Sequence, residues 1–118
     1  MELSEKAQKI FNLKYSRPNE SWEQASWRVA NYIASAEKSY GKSEKEILEV
    51  ATTYYQMISN LHFIPGGRIL ANAGTGIKSM MNCFVLGLED SRSSIYQTLK
   101  DAAEIFAHGG GVDMISLT

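Results

Sequence analysis

Hydrophobic residues recur three and four positions apart through the first half of the chain, a spacing that places them on one face of a helix. The pattern predicts three successive amphipathic helices. Two of them begin at capping boxes, Ser21 with Gln24 and Ser43 with Glu46, and Pro18 closes the first helix. We therefore predict an N-terminal helical region over residues 1–62, with apolar faces formed by Leu3, Ala7, Ile10 and Phe11, by Trp22, Ala25, Val29, Ile33 and Ala36, and by Ile47, Val50, Ala51, Tyr54, Met57, Ile58 and Leu61.

Glycines punctuate the second half of the chain, where eight of the nine lie between Gly66 and Gly111. Residues 63–82 show no strong period and predict a long loop, a feature that is often functional. Residues 83–88 are apolar and rich in β-forming side chains, which predicts a buried strand. A further helix and a second strand over residues 112–117 follow, and the apolar face of that helix is formed by Ile95, Leu99, Ala102, Ala103 and Phe106.

The order strand, helix, strand in this second half is typical of a parallel crossover unit. Two parallel strands need further strands and covered faces. We therefore predict an α/β fragment that is mainly α, in which residues 63–118 form the incomplete start of a larger α/β sheet or barrel. A partner, a further chain segment or a non-standard packing is then needed to protect the open edge.

Composition narrows the functions that the chain can carry. Its 118 residues include 12 basic and 13 acidic side chains, a net charge of −1, which argues against binding to nucleic acid or to a membrane surface. No apolar run approaches the roughly 20 residues of a membrane span. The polar start lacks a signal-peptide core, so a cytoplasmic protein is expected. The single cysteine excludes a disulfide within the chain and a multi-cysteine zinc site.

Cys83 is the one candidate nucleophile or redox group in the sequence. Two interpretations of it stay open, a small buried hydrophobic residue or a thiol at the mouth of a sheet. His62 and His108 lie too far from it along the chain to indicate a cysteine–histidine pair or a metal site. Asp90 and Ser91 fit a helix cap first, although a carboxylate at this position also suits a ribose hydroxyl.

Four short motifs follow one another in a distinctive order: Pro65–Thr75 (PGGRILANAGT), Asn82–Leu86 (NCFVL), Glu89–Ser91 (EDS) and Gly109–Val112 (GGGV). Their order and spacing resemble the catalytic chain of ribonucleotide reductase, at the start of its ten-stranded α/β barrel. The helical half is similar, more weakly, to the helices that precede that barrel. The first two motifs look most like the adenosylcobalamin-dependent class of the family.

The resemblance implies roles for four residues around the substrate. Cys83 falls at the first cysteine of the family's redox pair, which is oxidised to a disulfide as the ribose 2′-hydroxyl leaves. Asn82 falls where a polar residue helps to hold the substrate, and Gly111 where a glycine backbone lies against it. Ile69 lies near a loop position that contacts the substrate and is often threonine elsewhere in the family.

The resemblance also implies an effector and a cofactor. Asp90 matches an acidic residue that binds a deoxynucleotide effector, and Ser91 accompanies it. The cofactor implied by the class is adenosylcobalamin, bound mainly by a portion of the reductase outside this chain. The implied ligands are nucleotides, the implied partner is the remaining portion of the reductase as a second chain, and a homo-oligomer is compatible with both.

The leading hypothesis is therefore the N-terminal part of a split ribonucleotide reductase, an oxidoreductase that is active only in a larger assembly. Asp113 departs from the family pattern, which has a small residue there, and a carboxylate at this position would crowd or repel a phosphate. This departure and the early end of the chain motivate the alternative, a non-catalytic remnant or repurposed fragment that serves as a binding or assembly module. A stand-alone helical protein with a thiol redox function leaves the order of the glycine motifs unexplained.

Overall fold

The computed structural model describes residues 2–117 and separates them into two compact units, the first ending at Lys78 and the second beginning at Ser79. The first unit is helical, and the second consists of two strands and a helix. The elements in chain order are α1 (Glu5–Lys14), α2 (Trp22–Ala34), a 3-10 helix (Ser35–Tyr40), α3 (Glu44–Ser59), α4 (Gly67–Asn72), β1 (Cys83–Leu88), α5 (Arg92–Ala107) and β2 (Gly111–Ser116). None of the helices in this range is both long and apolar enough to cross a membrane.

The three predicted N-terminal helices are confirmed, and serine caps hold their first turns. Ser4 caps α1. The Ser21 hydroxyl accepts a hydrogen bond from the Gln24 N–H at 3.1 Å, and the Gln24 side chain accepts one from the Ser21 N–H at 2.9 Å. Ser43 and Glu46 form the same reciprocal pair at the start of α3. Because these contacts satisfy N–H groups that have no partner within the helix, each helix begins where its sequence predicts.

The second helix ends earlier than its apolar pattern predicts. α2 stops at Ala34, and the chain continues as the 3-10 helix, which Gly41 closes with a φ of 77°. Ala36, which the pattern predicts on the buried face, is exposed, because the tighter 3-10 winding turns the later side chains away from that face. Ile33 is also 40% exposed.

The core of the first unit lies between α2 and α3. Ala25 and Ala51 are completely buried, and side chains this small let the two helices approach closely. The Trp22 ring packs edge-to-face against Phe11 with the ring centroids 5.5 Å apart. Its indole N–H donates to the carbonyl oxygen of Ser59 at 3.2 Å. This one side chain therefore ties α1 and the end of α3 to α2.

Part of the segment predicted as a loop is helical. Residues 67–72 form α4, and six residues are too few for a helical period to show in the sequence. Leu70 is buried in the first unit. Residues 63–78 accordingly belong with the helices, so the two units divide after Lys78, whereas the sequence places the boundary after residue 62.

Arg28 of α2 holds the C-terminal end of α4. Its guanidinium donates to the carbonyl oxygens of Ala73 at 2.7 Å and Leu70 at 3.2 Å, and it forms a two-point ion pair with Glu20 at 2.7 and 2.9 Å. Only 13% of the Arg28 side chain and 10% of the Glu20 side chain are exposed. Burial opposes ionisation of Glu20, but hydrogen bonds from Arg28 and the Arg17 N–H, with the charges of both arginines, outweigh it and lower the pKa of the carboxyl.

The predicted strand–helix–strand unit is confirmed in residues 79–117. β1 and β2 are parallel neighbours, and their register runs from Cys83 opposite Gly111 to Leu88 opposite Ser116. α5 packs on one face of the pair, where the Thr98 hydroxyl donates to the carbonyl oxygen of Gly87 at 3.1 Å. The continuation of this pair into a barrel stays a prediction.

The predicted burial of β1 and of α5 needs correction. Side chains on β1 alternate between half-buried and exposed, and Val85 is 64% exposed, because α5 covers only one face of the strand pair. On α5 the fully buried residues are Thr98 and Ala102, whereas Leu99 and Phe106 of the predicted face are more than half exposed. Periodicity indicates that α5 has an apolar face, but it does not indicate which side of the helix packs against the sheet.

Glu20→Gln is expected to lower the free energy of unfolding at pH 7 by about 1–3 kcal/mol, because Arg28 then stays buried without a counter-charge. The pKa of Glu20 is lower in the folded protein than in the unfolded chain. Its stabilisation is therefore complete above about pH 4.3 and is lost as the pH falls through the folded-state pKa. Denaturant unfolding from pH 7 to pH 2 measures both effects.

Glu49→Gln is the matched control, since it changes an exposed glutamate on α3. This control should stay within about 0.5 kcal/mol of the wild type. If the free energy of unfolding of the Glu20 variant were below that of the wild type by the same amount at every pH, the assigned ion pair would be contradicted.

Candidate functional site

Three of the predicted site residues meet at one end of the strand pair. Cys83 and Gly111 begin β1 and β2 and stand opposite each other in the register, and Asn82 directly precedes Cys83. The Gly111 N–H donates to the carbonyl oxygen of Asn82 at 2.7 Å. Because parallel strands start at the same edge of a sheet, the pairing itself gathers residues that are distant in sequence.

Cys83 is a free, exposed thiol. This exposure contradicts the interpretation of Cys83 as a buried hydrophobic residue within residues 2–117, and its role as a reactive thiol stays a prediction. A thiol in this position is open to a reactant on the face of the strand pair that α5 does not cover.

The two glycines that precede and begin β2 face different structural demands. A Cβ atom at Gly110 would lie 2.7 Å from Cγ2 of Ile105 and 3.0 Å from the ring of Phe84, so packing requires glycine there. A Cβ atom at Gly111 would meet only the Asn82 carbonyl oxygen at 3.7 Å and the Cys83 sulfur at 3.8 Å, which are ordinary contact distances. The fold does not require glycine at position 111, and the space above this residue lies beside the thiol.

Asp90 and Ser91 lie at the opposite end of β1. Six strand residues separate the two ends by about 17 Å. The Ser91 hydroxyl caps α5 by accepting a hydrogen bond from the Ser94 N–H at 3.1 Å, and the Ser94 hydroxyl accepts one from the Glu89 N–H at 3.0 Å. Asp90 is exposed and takes no part in this cap. The helix-cap interpretation is therefore confirmed for Ser91, while the Asp90 carboxylate faces solvent.

Ile69 belongs to the first unit and lies on α4. Its side chain lines an apolar cavity of about 340 Å³ together with residues of α2 and α3, among them Val29, Tyr54 and Ile58. This position accounts for an apolar side chain at residue 69 through packing. Its contact with a substrate stays a prediction.

The sequence motifs do not show that Asp113 lies on the same face of the strand pair as Cys83. Asp113 stands opposite Val85, and this pair lies two register steps from Cys83 and Gly111. Because side chains alternate between the faces of a strand, Asp113 shares the exposed face with Cys83. The period of two along β2 is the signal that predicts this placement. Within residues 2–117, no three His, Cys, Asp or Glu side chains are grouped as a metal site requires.

Residues 1–78 match the protein-family model for the ribonucleotide reductase all-alpha domain. The vitamin B12-dependent ribonucleoside-diphosphate reductase of Mycobacterium tuberculosis is 40% identical over 97 residues, which cover 80% of this chain and 13% of that protein. The protein of the same name from Thermoplasma acidophilum is 41% identical over 58 residues, 49% of this chain and 8% of its own length. The ribonucleoside-diphosphate reductase subunit alpha of a Synechocystis species is 31% identical over 103 residues, 87% of this chain and 13% of its own length.

The matched family domain ends at the residue where the first compact unit ends. The two vitamin B12-dependent relatives agree with the adenosylcobalamin-like form of the sequence motifs. These matches confirm the resemblance found in the sequence. The chain belongs to the ribonucleotide reductase family, and its first 78 residues correspond to the all-alpha domain of that family.

Proposed function

We propose that this chain is the N-terminal part of a ribonucleotide reductase that converts ribonucleotides to deoxyribonucleotides, with the remaining portion supplied by a second chain. One observation carries the proposal: an exposed thiol, Cys83, lies beside the open space above Gly111 at the start of a parallel strand pair. The membership of the family supplies the reaction class, since the named relatives are reductases of ribonucleoside diphosphates.

In the proposed reaction Cys83 acts as one half of a dithiol. A second cysteine comes from the remaining portion of the reductase. The C2′–O bond of the ribose breaks, a C2′–H bond forms and the hydroxyl leaves as water. The two thiols supply two electrons and two hydrogens and become a disulfide, which an external dithiol reduces again. Asn82 and the Gly111 backbone would hold the ribose beside the thiol, and Ile69 is proposed as a further substrate contact.

The unpaired edges and the exposed face of the strand pair favour a partner that completes the sheet. In residues 2–117, β1 and β2 pair only with each other, and the face opposite α5 exposes Val85 and Ile115. Parallel sheets are normally covered on both faces, and a two-stranded parallel sheet buries too little surface to be stable alone. The remaining portion of the reductase barrel would add strands at these edges and cover the exposed face.

The proposed cofactor is adenosylcobalamin, because the relatives in Mycobacterium tuberculosis and Thermoplasma acidophilum are named as vitamin B12-dependent. We assign this cofactor to the remaining portion of the reductase, and the roles proposed for Cys83, Asn82 and Gly111 involve only the substrate.

The proposed effector is a deoxynucleotide at the other end of β1. The Asp90 carboxylate is free to accept hydrogen bonds from the hydroxyl or amino groups of a nucleoside. The first N–H groups of α5 follow the Ser91 cap and favour a negatively charged group nearby.

A second copy of the chain is the proposed partner of α5. Ile95, Leu99 and Phe106 form an exposed apolar stripe on this helix, between 46% and 58% exposed. Arg92 lies in line with the stripe in the first turn, where it opposes the dipole of its own helix. The last turn of α5 has no basic residue. An antiparallel pair of α5 helices would bury the stripe and place each Arg92 beside the partially negative C-terminal turn of the other copy.

Cys83→Ser is expected to abolish deoxynucleotide formation by the assembled reductase with dithiol as reductant, because a hydroxyl cannot form the disulfide. Thr52→Ser, an exposed change on α3 in the other unit, is the control and should keep full turnover. Full turnover by the Cys83 variant would show that the thiol has no catalytic role. A chain that self-associates but binds neither nucleotide nor a reductase partner would favour the alternative, a non-catalytic assembly module.

Gly111→Ala is expected to lower kcat/KM by about tenfold or more while leaving the unfolding midpoint unchanged, since its methyl group fits the fold but occupies the space beside Cys83. Gly110→Ala is the comparison, and its clash with Ile105 and Phe84 should cost about 1–3 kcal/mol of stability. Thermal unfolding and steady-state kinetics of both variants give the two readouts. Equal activity of wild type and Gly111→Ala would exclude a substrate at this position.

Leu99→Glu is expected to shift the assembly toward fewer copies of the chain, because it places a charge in the proposed helix pair. Gln97→Glu adds the same charge on the polar side of α5 and should leave the assembly unchanged. Sedimentation velocity at several concentrations measures the difference. Identical sedimentation of wild type and Leu99→Glu would contradict pairing through this helix.

A further inference from the structure

The exposed face of the strand pair is polar at one end and apolar at the other. Cys83, Gly111 and Asp113 lie at the end where the strands begin. At the far end the side chain of Leu117 fills the space over Gly87, where an added Cβ atom would lie 2.6 Å from its Cδ1. A ligand with a polar part therefore finds its hydrogen-bonding groups only at the Cys83 end of this face.

Asp113 and Cys83 flank Gly111 on two sides. Cys83 is its neighbour across the strands, and Asp113 is its neighbour on the same face two residues along β2. The spacing of strands and residues puts the Cα atoms of Cys83 and Asp113 about 8 Å apart. With no side chain at Gly111, the space over this residue has the Cys83 thiol beside it and the Asp113 carboxylate further along the same face.

The Asp113 carboxylate is exposed and forms no hydrogen bond or ion pair within residues 2–117, so it is available to accept hydrogen bonds from a ligand. A carboxylate accepts hydrogen bonds strongly and donates none, which suits the hydroxyl groups of a ribose. It also repels a phosphate group. Salt screens this repulsion over a Debye length of about 8 Å, so the repulsion is weak when the phosphate points away from the face.

We propose that Asp113 accepts a hydrogen bond from a ribose hydroxyl of the substrate, and thereby sets the ribose over Gly111 with its reacting carbon toward Cys83 and its phosphate away from the sheet. This inference rests on the proposed function and adds to it a substrate-contacting residue. The Asp113 carboxylate attracts the ribose hydroxyl and repels the phosphate, so the ribose lies toward Asp113 and the phosphate points away from it.

The test compares Asp113→Ala, Asp113→Asn and Asp113→Gly in the assembled reductase with a ribonucleoside diphosphate as substrate. The alanine and glycine variants should raise KM about tenfold or more with a smaller change in kcat, because they lose a charge-assisted hydrogen bond made to the bound substrate. The asparagine variant should recover most of the affinity, since its amide oxygen still accepts a hydrogen bond. Asp101→Ala is the control, because it removes an exposed carboxylate of α5 that, among the described residues, bonds only to Gln97.

Equilibrium binding separates this inference from the proposed function. The wild type should bind a ribonucleoside diphosphate more tightly than its 2′,3′-dideoxy analogue, and Asp113→Ala should lose that preference. An unchanged preference, or a KM that falls on removal of the carboxylate, would overturn the role of Asp113. Turnover that survives Cys83→Ser would instead overturn the proposed function, whatever the binding of the Asp113 variants shows.

Discussion

The parallel pairing of β1 with β2 is the constraint on which the candidate site depends. Cys83 and Gly111 are distant in sequence, and the register of the two strands puts them side by side. α5 supplies the connection that a parallel pair requires and covers one face. The glycine at position 110 lets the turn after α5 pack against Ile105 and Phe84, which fixes where β2 begins. A slip of one residue would turn the thiol and the carboxylate to opposite faces.

Within the first unit, the position of α4 depends on a different contact, the ion pair of Arg28 with Glu20. The same guanidinium satisfies two carbonyl groups at the end of α4, a helix too short to be stable by itself. A buried carboxylate without a cation, or a buried carbonyl group without a hydrogen-bond donor, is costly, and Arg28 meets both needs. Together these contacts fix the segment that carries Ile69, so the placement of one predicted site residue rests on a pair that no sequence motif indicates.

The sequence predicts the helix caps and the order of the elements correctly, but it does not predict which face of each element packs against its neighbours. The serine caps and capping boxes act within four residues, so Ser21 and Ser43 predicted their helix starts correctly. The strand–helix–strand order likewise predicted the parallel pair that brings Asn82, Cys83 and Gly111 together. Whether β1 is covered on both faces, and which side of α5 meets it, depends on neighbours that periodicity does not report. α4 was missed because six residues hold less than two turns.

The two ends of the strand pair differ in what they offer a nucleotide. Ligands of open α/β sheets usually lie at the carboxyl ends of the strands, where backbone N–H groups of the following helix point outward. Asp90 and Ser91 occupy that end, where the proposed function places the effector. The thiol of Cys83 lies at the amino end, on a face that α5 leaves uncovered, so the chemistry there needs walls that only added strands provide. Under the proposed function the same strand carries part of an effector surface at one end and one side of a reaction surface at the other, and Asp113 places a negative charge on that reaction surface.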